Sequence, residues 1–399
     1  MNELSIKDQV DLLTRNSVSF VSKKELEDKF KLGRPLRIKL GVDPSRPDLH
    51  LGHAVVLKKL KKFQDFGHKV VLIIGDFTAR IGDPTGKSKT RPMLTKREAE
   101  ENAQTYIKQA TQILSSEKTE IRFNSEWLDK MNFEDVIRLA AKYTVARMLE
   151  RNDFSNRYKN NETISVSEFL YPLAQAMDSV EIKADVEIGG DDQFFNLLVG
   201  RKIQEEYGLL PQCVLTFPLI EGTDGNLKMS KSYDNYIAFE DSNIDMFGKL
   251  MSIPDKLIVK YSELLTDKTP EEIKDISDQL KEKSVNPRDL KLDLAYKITA
   301  EFHGDKLAKE AYDNFINVFQ KKNIPDEMPE IKINENNLDI ITIMNKYLNV
   351  KSRSEARRLI NQNAVKFNNE TITDPFEKIE MKKDDFFRIG KKRFYKVVI

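Results

Sequence analysis

Apolar and polar residues follow one another along the chain in a pattern that predicts strands alternating with helices. From about residue 36, Leu36, Ile38, Leu40 and Val42 alternate with polar residues, and the turn GVDPSRPDLHLGH then leads into VVLKKLKKF, whose apolar positions have helical spacing. A second apolar run, VVLIIGD, is short, β-branched and flanked by glycines, which is typical of a strand buried on both faces. This alternation predicts a parallel α/β sheet.

The pattern changes twice farther along the chain. Further helices are predicted around 95–115 and 133–150, and strands at 184–190 and 211–220, so that the α/β unit reaches to about residue 225. Between roughly 240 and 320, charged residues alternate with apolar ones at three- and four-residue spacing, which predicts a helical domain. The polar stretch 321–337 contains two prolines and has the composition of a linker, and a small third unit begins near Leu338.

Composition narrows the class of protein without identifying it. A chain of 399 residues predicts two or three packed units. The chain has 65 Lys and Arg residues and 64 Asp and Glu residues, so its net charge is close to zero. Any nucleic-acid-binding surface must therefore be a local concentration of basic residues. The single cysteine excludes an internal disulfide, and no Cys/His cluster has zinc-site spacing, so we expect no protein-ligated metal. The charged start of the chain and the lack of any long apolar stretch predict a cytoplasmic protein that makes no contact with a membrane.

Two of the four histidines lie where a glycine-bearing turn enters a helix. His50 and His53 are three residues apart, and Gly52 between them permits close approach of a nucleotide to the backbone. Imidazoles in this position can donate hydrogen bonds to phosphate oxygens as negative charge develops. Taken alone, the string is equally compatible with a helix whose first turn happens to contain two histidines.

Two other glycine turns and a lysine loop support a ligand-binding role for the histidines. GDPTGKS at 82–88 and GGDDQFFN at 189–196 each follow strand-like sequence and contain carboxylates. GDPTGKS is too short for a phosphate loop, since only three residues separate its glycines. KMSKS at 228–232 follows EGTDGN, which indicates a mobile loop whose lysines can close on a triphosphate and neutralise departing pyrophosphate.

Together these motifs resemble a known family. HLGH with KMSKS resembles the paired signature of class I aminoacyl-tRNA synthetases, and GVDPSRPDLHLGH, IGDPTG, YPLAQAMD, GGDDQFFN and KMSKS, in this order, resemble the tyrosyl-tRNA synthetases of bacterial type. The resemblance covers nearly the whole chain. It implies a Rossmann-like catalytic domain at 1–225 with a connective insertion near 125–165, the KMSKS loop and a helical anticodon-binding domain at 226–320, the linker at 321–337, and a small α+β S4-like RNA-binding domain at 338–399.

The resemblance also implies the substrates and the residues that contact them. The substrates are ATP, accompanied by Mg²⁺, and L-tyrosine, which is transferred to tRNA(Tyr). Catalytic residues are His50, His53, Lys228, Lys231 and Ser232. Residues at the ATP site are Asp43, Ser45, His50, Gly52, His53, Gly190, Asp192 and Lys231. A homodimer is the family expectation, with its interface in the helices near 125–165.

Selection of the amino acid is expected on one helix face. Tyr171, Gln175 and Asp178 stand at i, i+4 and i+7, so they can converge on one ligand, although Pro172 predicts a kink or a restart of this helix. By resemblance, Asp178 accepts the phenolic hydroxyl. The ammonium group is assigned to Asp83, Tyr171, Gln175 and Gln193. A ligand without the hydroxyl would leave a buried acceptor unpaired, which is how such a site rejects phenylalanine.

One position departs from the family pattern. Many tyrosine enzymes have a tyrosine two residues before the glycine of the GxDP segment, where it contacts the phenol, whereas this chain has Lys39. Lys39 alternates with Ile38 and Leu40, so its side chain is free to point away from the pocket, or the pocket is built differently.

The C-terminal segment combines a basic helix with a small sheet. Ser352 or Ser354 can cap a helix whose residues Arg353 and Arg357 share one face, and VKFNNETI reads as a hairpin that turns at two asparagines. Such a surface is typical of binding to an RNA backbone. The predicted RNA-binding residues are Lys351, Arg353, Arg357, Arg358, Lys391, Lys392 and Arg393.

Three other functions are weighed against this reading. A tryptophan enzyme of the same class would share the sheet and the lysine loop, and Asp178 with the S4-like tail argues against it. A nucleotidyltransferase can share the HxGH turn, but it does not account for KMSKS and the RNA module. An RNA-binding or splicing paralogue without activity would have no reason to keep both signatures intact.

Overall fold

The computed structural model describes residues 4–44, 48–81, 95–317, 328–333, 338–368, 370–390 and 393–398. The chain folds into two compact units that divide between Lys309 and Glu310. The sheet and most of the predicted helical domain therefore belong to one unit. The finer division into four parts stays a prediction.

A six-stranded sheet forms the centre of the N-terminal unit, and five of its strands are parallel. The strands are β1 (Ser19–Val21), β2 (Arg37–Val42), β3 (Lys69–Ile74), β4 (Thr119–Phe123), β5 (Val186–Gly190) and β6 (Cys213–Phe217). Their order is β1-β6-β5-β2-β3-β4, and only the edge strand β1 is antiparallel. The predicted parallel α/β sheet is confirmed. β1 has only three residues and partly exposed side chains, so the sequence carried little strand signal there.

Helices cover the sheet and connect its strands. They are α1 (Ile6–Thr14), α2 (Lys23–Phe30), α3 (Leu51–Asp65), α4 (Thr78–Ile81), α5 (Lys96–Ala110), α6 (Ser125–Leu128), α7 (Phe133–Ala140), α8 (Val145–Met148), α9 (Asn152–Lys159), α10 (Val166–Glu181) and α11 (Phe194–Glu206). The predicted helical stretch 133–150 is two helices, α7 and α8, because the Thr144 side chain caps a new helix by accepting from the Arg147 amide.

Helix α10 remains continuous although it contains a proline. Ser165 and Glu168 form a reciprocal capping box at its start, and the helix runs through Pro172 to Glu181 without restarting. The buried side chains that follow the proline, Leu173 and Met177 among them, pack into an apolar cluster. Tertiary packing therefore holds the helix together across the missing backbone donor.

The remaining helices of the first unit follow the last parallel strand. They are α12 (Asn243–Ser252), α13 (Ile258–Leu265), α14 (Pro270–Glu282) and α15 (Pro287–His303), and α16 (Asp305–Phe315) runs across the division between the units. Lys58 of α3 pairs with Glu301 of α15 at 2.6 Å, which ties this helical segment to the sheet unit.

The second unit is a small α+β fold. Its helices are α17 (Ile340–Lys346) and α18 (Arg353–Asn361), and its strands are β7 (Glu330–Lys332), β8 (Leu338–Asp339), β9 (Val365–Phe367), β10 (Glu370–Thr371), β11 (Lys378–Ile379), β12 (Phe386–Ile389) and β13 (Arg393–Val398). β9 and β10 form the predicted hairpin, whose turn begins with Asn368 in the left-handed region. No helix among the described residues has the length and apolar character needed to cross a membrane.

Candidate active site

A cavity of about 610 Å³ opens at the carboxyl ends of β2 and β5, the neighbouring strands at which the chain order of the sheet reverses. Ligands bind open α/β sheets at this kind of position. Twelve of the predicted site residues line the cavity: Asp43, His50, Gly52, His53, Tyr171, Gln175, Asp178, Gly190, Asp192, Gln193, Lys231 and Ser232. Ser45 and Asp83 lie outside the described residues. Lys228 does not line the cavity.

The HLGH segment places two neutral imidazoles at the start of α3. His50 is the N-cap, and its Nδ1 accepts from the Gly52 amide at 3.2 Å, while Nδ1 of His53 accepts from the His50 amide at 3.2 Å. Because each Nδ1 is an acceptor, each Nε2 carries the hydrogen and is available as a donor. A Cβ on Gly52 would lie 2.9 Å from the His50 ring, so any other residue would force this ring to move from its capping position.

Electrostatics keep both histidines neutral. Burial, helped by the charges of His53 and Lys231, lowers the pKa of His50 to about 2. Burial also lowers the pKa of His53 to about 4. At neutral pH the cavity therefore contains two uncharged N–H donors at a helix start, an arrangement suited to phosphate oxygens.

The lysine loop is joined by its backbone to the histidine turn. The Leu51 amide donates to the Ile237 carbonyl at 3.0 Å, and the Phe239 amide donates to the Leu49 carbonyl at 3.0 Å. These bonds pair the segment that follows KMSKS with the segment that contains HLGH. A short antiparallel contact between His50 and Ala238 thus places the segment that follows KMSKS beside HLGH.

The two lysines of KMSKS have different surroundings. Lys231 lines the cavity, pairs with Asp48 and lies 5.7 Å from the centre of the Tyr236 ring. Lys228 is about half exposed, and its Nζ lies 3.7 Å from an oxygen of Asp192. In this conformation Lys231 reaches the cavity, whereas Lys228 lies at its margin.

Helix α10 brings the predicted amino-acid ligands together. The Tyr171 hydroxyl donates to Asp43 at 2.7 Å. The Asn196 amide nitrogen donates to both Gln175 Oε1 and Gln193 Oε1, each at 3.2 Å. Asn196 is a residue that sequence reasoning missed, although it lies within GGDDQFFN, three positions after Gln193 on the same turn.

Asp178 is a buried carboxyl at the base of the cavity. Trp127, the only tryptophan in the chain, donates its indole N–H to Asp178 Oδ1 at 3.0 Å. Burial raises the pKa of Asp178 to about 7, while Lys39 and the hydrogen bonds of Trp127 and Asn124 act in the opposite direction. Trp127 and Asn124 were not predicted as site residues. The uniqueness of the tryptophan was the one signal that could have suggested it.

Lys39 points beneath the pocket and is completely buried. Its ammonium lies 2.9 Å from an oxygen of Glu187, to which it is the direct cross-strand neighbour. The side chain does not line the cavity, and the position at which the family resemblance predicts a phenol-contacting tyrosine is filled by half of an ion pair. Glu187 lines the cavity and was not predicted as a site residue.

The second unit exposes most of its predicted RNA-binding residues. Ser352 caps α18, and the helix buries Ala356 and Ile360 on its inner face. Of the seven predicted RNA-binding residues, five are exposed: Lys351, Arg353, Arg357, Arg358 and Arg393. The other two, Lys391 and Lys392, lie outside the described residues.

A parallel sheet, two histidines at a helix start and a lysine loop around one cavity define a class I aminoacyl-tRNA synthetase. The sequence model for class I tRNA synthetases (W and Y) matches residues 31–320, and the tyrosine–tRNA ligase SYY-like C-terminal domain matches residues 320–397. The chain is 59% identical to the tyrosine–tRNA ligase of Thermotoga maritima, covering 98% of this chain and 97% of that one. It is 51% identical to tyrosine–tRNA ligase 2 of Clostridium acetobutylicum, covering 99% of each. The chain belongs to the tyrosine–tRNA ligase family.

Solved structures agree on the fold. The tyrosyl-tRNA synthetase of Archaeoglobus fulgidus, solved with L-tyrosine, has a TM-score of 0.63 at 23% identity and covers 77% of this chain and 100% of that one. A truncated mitochondrial tyrosyl-tRNA synthetase of Aspergillus nidulans also has a TM-score of 0.63, at 21% identity, and covers 79% of this chain and 95% of that one.

Proposed function

We propose that this chain joins L-tyrosine to tRNA(Tyr) in two steps, first forming tyrosyl-adenylate and pyrophosphate from tyrosine and ATP. In the second step the tyrosyl group passes to the terminal adenosine of the tRNA and AMP leaves. The observation that carries the proposal is that the HLGH donors, Lys231 and the buried carboxyl of Asp178 all line the same cavity. Support comes from the names of relatives that match the full chain.

The first step requires positioning and charge stabilisation, with no covalent nucleophile from the protein. The tyrosine carboxylate attacks the α-phosphorus, and the bond to the bridging oxygen of pyrophosphate breaks. His50 and His53 can donate Nε2–H to the α-phosphate oxygens as their charge increases, because each Nδ1 is already an acceptor. Lys231, joined by Lys228 and Ser232 when the loop closes, neutralises the departing pyrophosphate. ATP enters as its Mg²⁺ complex.

The remaining predicted roles form part of the same proposal. Asp43, Ser45, Gly52, Gly190 and Asp192 are assigned to ATP. Asp83, Tyr171, Gln175 and Gln193 are assigned to the tyrosine ammonium, and Asp178 to its phenol. The tRNA is assigned to seven basic residues of the C-terminal segment, Lys351, Arg353, Arg357, Arg358, Lys391, Lys392 and Arg393. The reaction is placed in the cytoplasm, where translation uses its product.

Amino-acid-dependent exchange of pyrophosphate into ATP tests the first step without tRNA. We expect exchange with tyrosine and with none of the other nineteen amino acids, because a buried carboxyl rejects side chains that lack a hydroxyl. Exchange with tryptophan alone would keep the class and overturn the specificity. A folded protein that exchanges with no amino acid would instead favour an RNA-binding paralogue.

We also propose that the chain forms a homodimer through its connective insertion. Large apolar side chains are exposed here: Phe133, Ile137 and Val145 are each more than half exposed, and Phe133 is 80% exposed. Phe133 and Ile137 are four residues apart on α7 and share one face. A surface of this kind marks a contact with another protein.

Replacing Phe133 by aspartate should weaken dimerisation by about 100-fold, the loss typical of a central interface residue. Sedimentation velocity over a range of concentrations measures the change. Leu210→Asp is a matched control, since Leu210 is 72% exposed but lies outside the insertion. A dimer that survives Phe133→Asp as well as it survives the control would place the interface elsewhere.

A further inference from the structure

The most unusual feature of the pocket is a buried ion pair that the reaction itself does not use. Lys39 of β2 and Glu187 of β5 are direct neighbours across parallel strands, and their side chains are 0% and 1% exposed. Isolating two charges from water is costly, and such a pair often contributes no net stability. A role in the pocket would explain why both charges are buried there.

Two contacts connect the lysine to the helix that holds the amino-acid ligands. The Lys39 ammonium donates to the Gln175 carbonyl at 2.9 Å and to the Ser179 hydroxyl at 2.7 Å, besides its contact with Glu187. Gln175 and Ser179 lie three residues before and one residue after Asp178 on α10. A fixed positive charge thus lies beneath the turn of helix that presents Asp178 to the cavity.

The glutamate connects to the same helix through side chains. Glu187 Oε1 accepts from the Gln175 amide nitrogen at 3.3 Å, and Oε2 accepts from the Ser179 hydroxyl at 3.1 Å. The amide of Gln212 also donates to Oε2. Because the Gln175 nitrogen is engaged by Glu187, its Oε1 is the atom that faces Asn196 and remains oriented as an acceptor. An acceptor is what a substrate ammonium requires.

We propose that the Lys39–Glu187 pair is a specificity-determining positioning device, which orients the Gln175 amide as an acceptor and holds a positive charge under Asp178. The proposal rests on the proposed function, because it assigns the ammonium and phenol of tyrosine to these two residues. Neither Lys39 nor Glu187 need touch the substrate. The pair acts through Gln175 and Asp178.

The charge state of Asp178 is the link to specificity. A carboxylate is the stronger acceptor for a phenolic hydroxyl, whereas burial favours the protonated acid. The charged groups that act on Asp178 are Lys39, which lowers its pKa, and Glu187, which raises it by a smaller amount, while Trp127 and Asn124 contribute hydrogen bonds that lower it. Neutralising both members of the pair should therefore raise the pKa of Asp178, since the larger opposing charge is lost.

The test replaces the pair by uncharged residues of similar shape, Lys39→Met with Glu187→Gln. Removing both charges avoids an unpaired buried ion, and the glutamine keeps an acceptor for Gln175. We expect the ratio of kcat/KM for tyrosine over phenylalanine in pyrophosphate exchange to fall by about tenfold, the loss expected when a hydrogen bond to a charged group is weakened. We also expect the rise of tyrosine kcat/KM with pH to shift to higher pH.

The matched control neutralises another buried pair, which joins α9 to the start of α10. Arg157 and Glu168 are 2.5 Å apart and largely buried, and neither lines the cavity. Arg157→Met with Glu168→Gln should leave the tyrosine preference and the pH profile unchanged, even if it lowers the melting temperature. A Lys39/Glu187 double variant that folds and behaves as this control does would overturn the proposal.

A milder variant decides the question if the double variant does not fold. Ser179→Ala deletes one contact to each member of the pair and should reduce the tyrosine preference about threefold, as a partial loss of the same hydrogen-bond network. An unchanged preference in that variant would then overturn the proposal. Absence of tyrosine exchange by the unmodified protein would count against the proposed function itself, so the two failures are distinguishable.

Discussion

Replacing Asp178 by asparagine should lower kcat/KM for tyrosine by about 100-fold while leaving that for phenylalanine nearly unchanged. The Trp127 indole already donates to one oxygen of this carboxyl. In the variant the same indole would hold the asparagine carbonyl, so the amide nitrogen would face the cavity. The pocket would then offer a donor in place of a charged acceptor to the phenolic hydroxyl. A site built for a hydroxyl rejects its deoxy analogue by about 10⁴ to 10⁵, and tyrosyl-tRNA synthetases are the standard example of that range.

The stability of Asp178→Asn should move in the opposite direction from its activity. Burial raises the pKa of Asp178 to about 7 in the folded protein, well above its unfolded value. The carboxyl therefore favours folding fully below its unfolded pKa, and this contribution is lost as the pH rises through about 7. The variant should accordingly gain melting temperature relative to the parent at pH 8 and lose that gain at pH 5.

Asp185→Asn is a matched control for this experiment. Asp185 is also buried, but its oxygens accept from both terminal nitrogens of Arg34 at 2.8 Å, and it lies away from the cavity. Its replacement should reduce the melting temperature without changing the preference for tyrosine. If Asp178→Asn resembled this control, with lower stability and intact preference, the phenol-binding role would be assigned to the wrong residue.

In the unmodified protein, the ionisation of Asp178 should be visible in the pH dependence of kcat/KM for tyrosine. Tyrosine kcat/KM should rise through about pH 7 as Asp178 ionises and then level off, because this parameter reports the free enzyme. The histidines do not titrate in that window, since their pKa values are about 2 and about 4. Phenylalanine kcat/KM should lack the rise. A common profile for both amino acids would mean that another group controls it.

Local sequence signals were sufficient for the parallel sheet and for most of the cavity lining. β2, β3, β5 and β6 are short apolar runs next to glycine or polar turns, and each motif was found from the spacing within one segment. The carboxyl ends of parallel strands meet at one edge of the sheet. Motifs that follow different strands can therefore be expected to share a site before their distances are known.

Most of the residues that were missed depend on contacts between distant segments, and Asn196, three positions after Gln193, is the exception. Lys39 and Glu187 become neighbours only because β5 lies beside β2 in the sheet, which the sequence of either strand cannot reveal. Trp127 reaches Asp178 across 51 positions. A buried lysine in a strand looks, in sequence, like a polar residue on an exposed face, so the pattern suggested only that it pointed elsewhere. The sequence did not show that Lys39 has Glu187 as its ion-pair partner.

Helix α10 shows the opposite case, in which the restart expected from a local rule does not occur. Proline removes a backbone donor and disfavours a helix interior, so a kink or restart at Pro172 was a reasonable expectation. The structure has a single helix from Val166 to Glu181, whose apolar residues pack in a buried cluster. That continuity allows Tyr171 and Asp178, on either side of the proline, to line the same cavity.

Replacing Lys231 by alanine should lower kcat for adenylate formation by about 10²- to 10³-fold, with little change in the binding of tyrosine. Lys231 is the KMSKS lysine that lines the cavity, and its charge is balanced by Asp48. Charge develops on pyrophosphate only as the phosphorus–oxygen bond breaks, so an interaction with it is stronger in the transition state than in the ground state. Single-turnover formation of tyrosyl-adenylate at saturating tyrosine and ATP measures the effect directly.

Lys249→Ala separates this role from the general electrostatics of the loop. Lys249 also contacts an aspartate, Asp241 at 2.7 Å, and lies 5.3 Å from the centre of the same Tyr236 ring, but it does not line the cavity. Its replacement should change kcat less than about threefold, the range expected for a partly exposed ion pair. Equal losses in the two variants would mean that the charge around Tyr236 matters and the position of Lys231 does not. A loss confined to Lys231→Ala, with tyrosine binding unchanged, would establish that this lysine acts on the leaving group as the reaction proceeds.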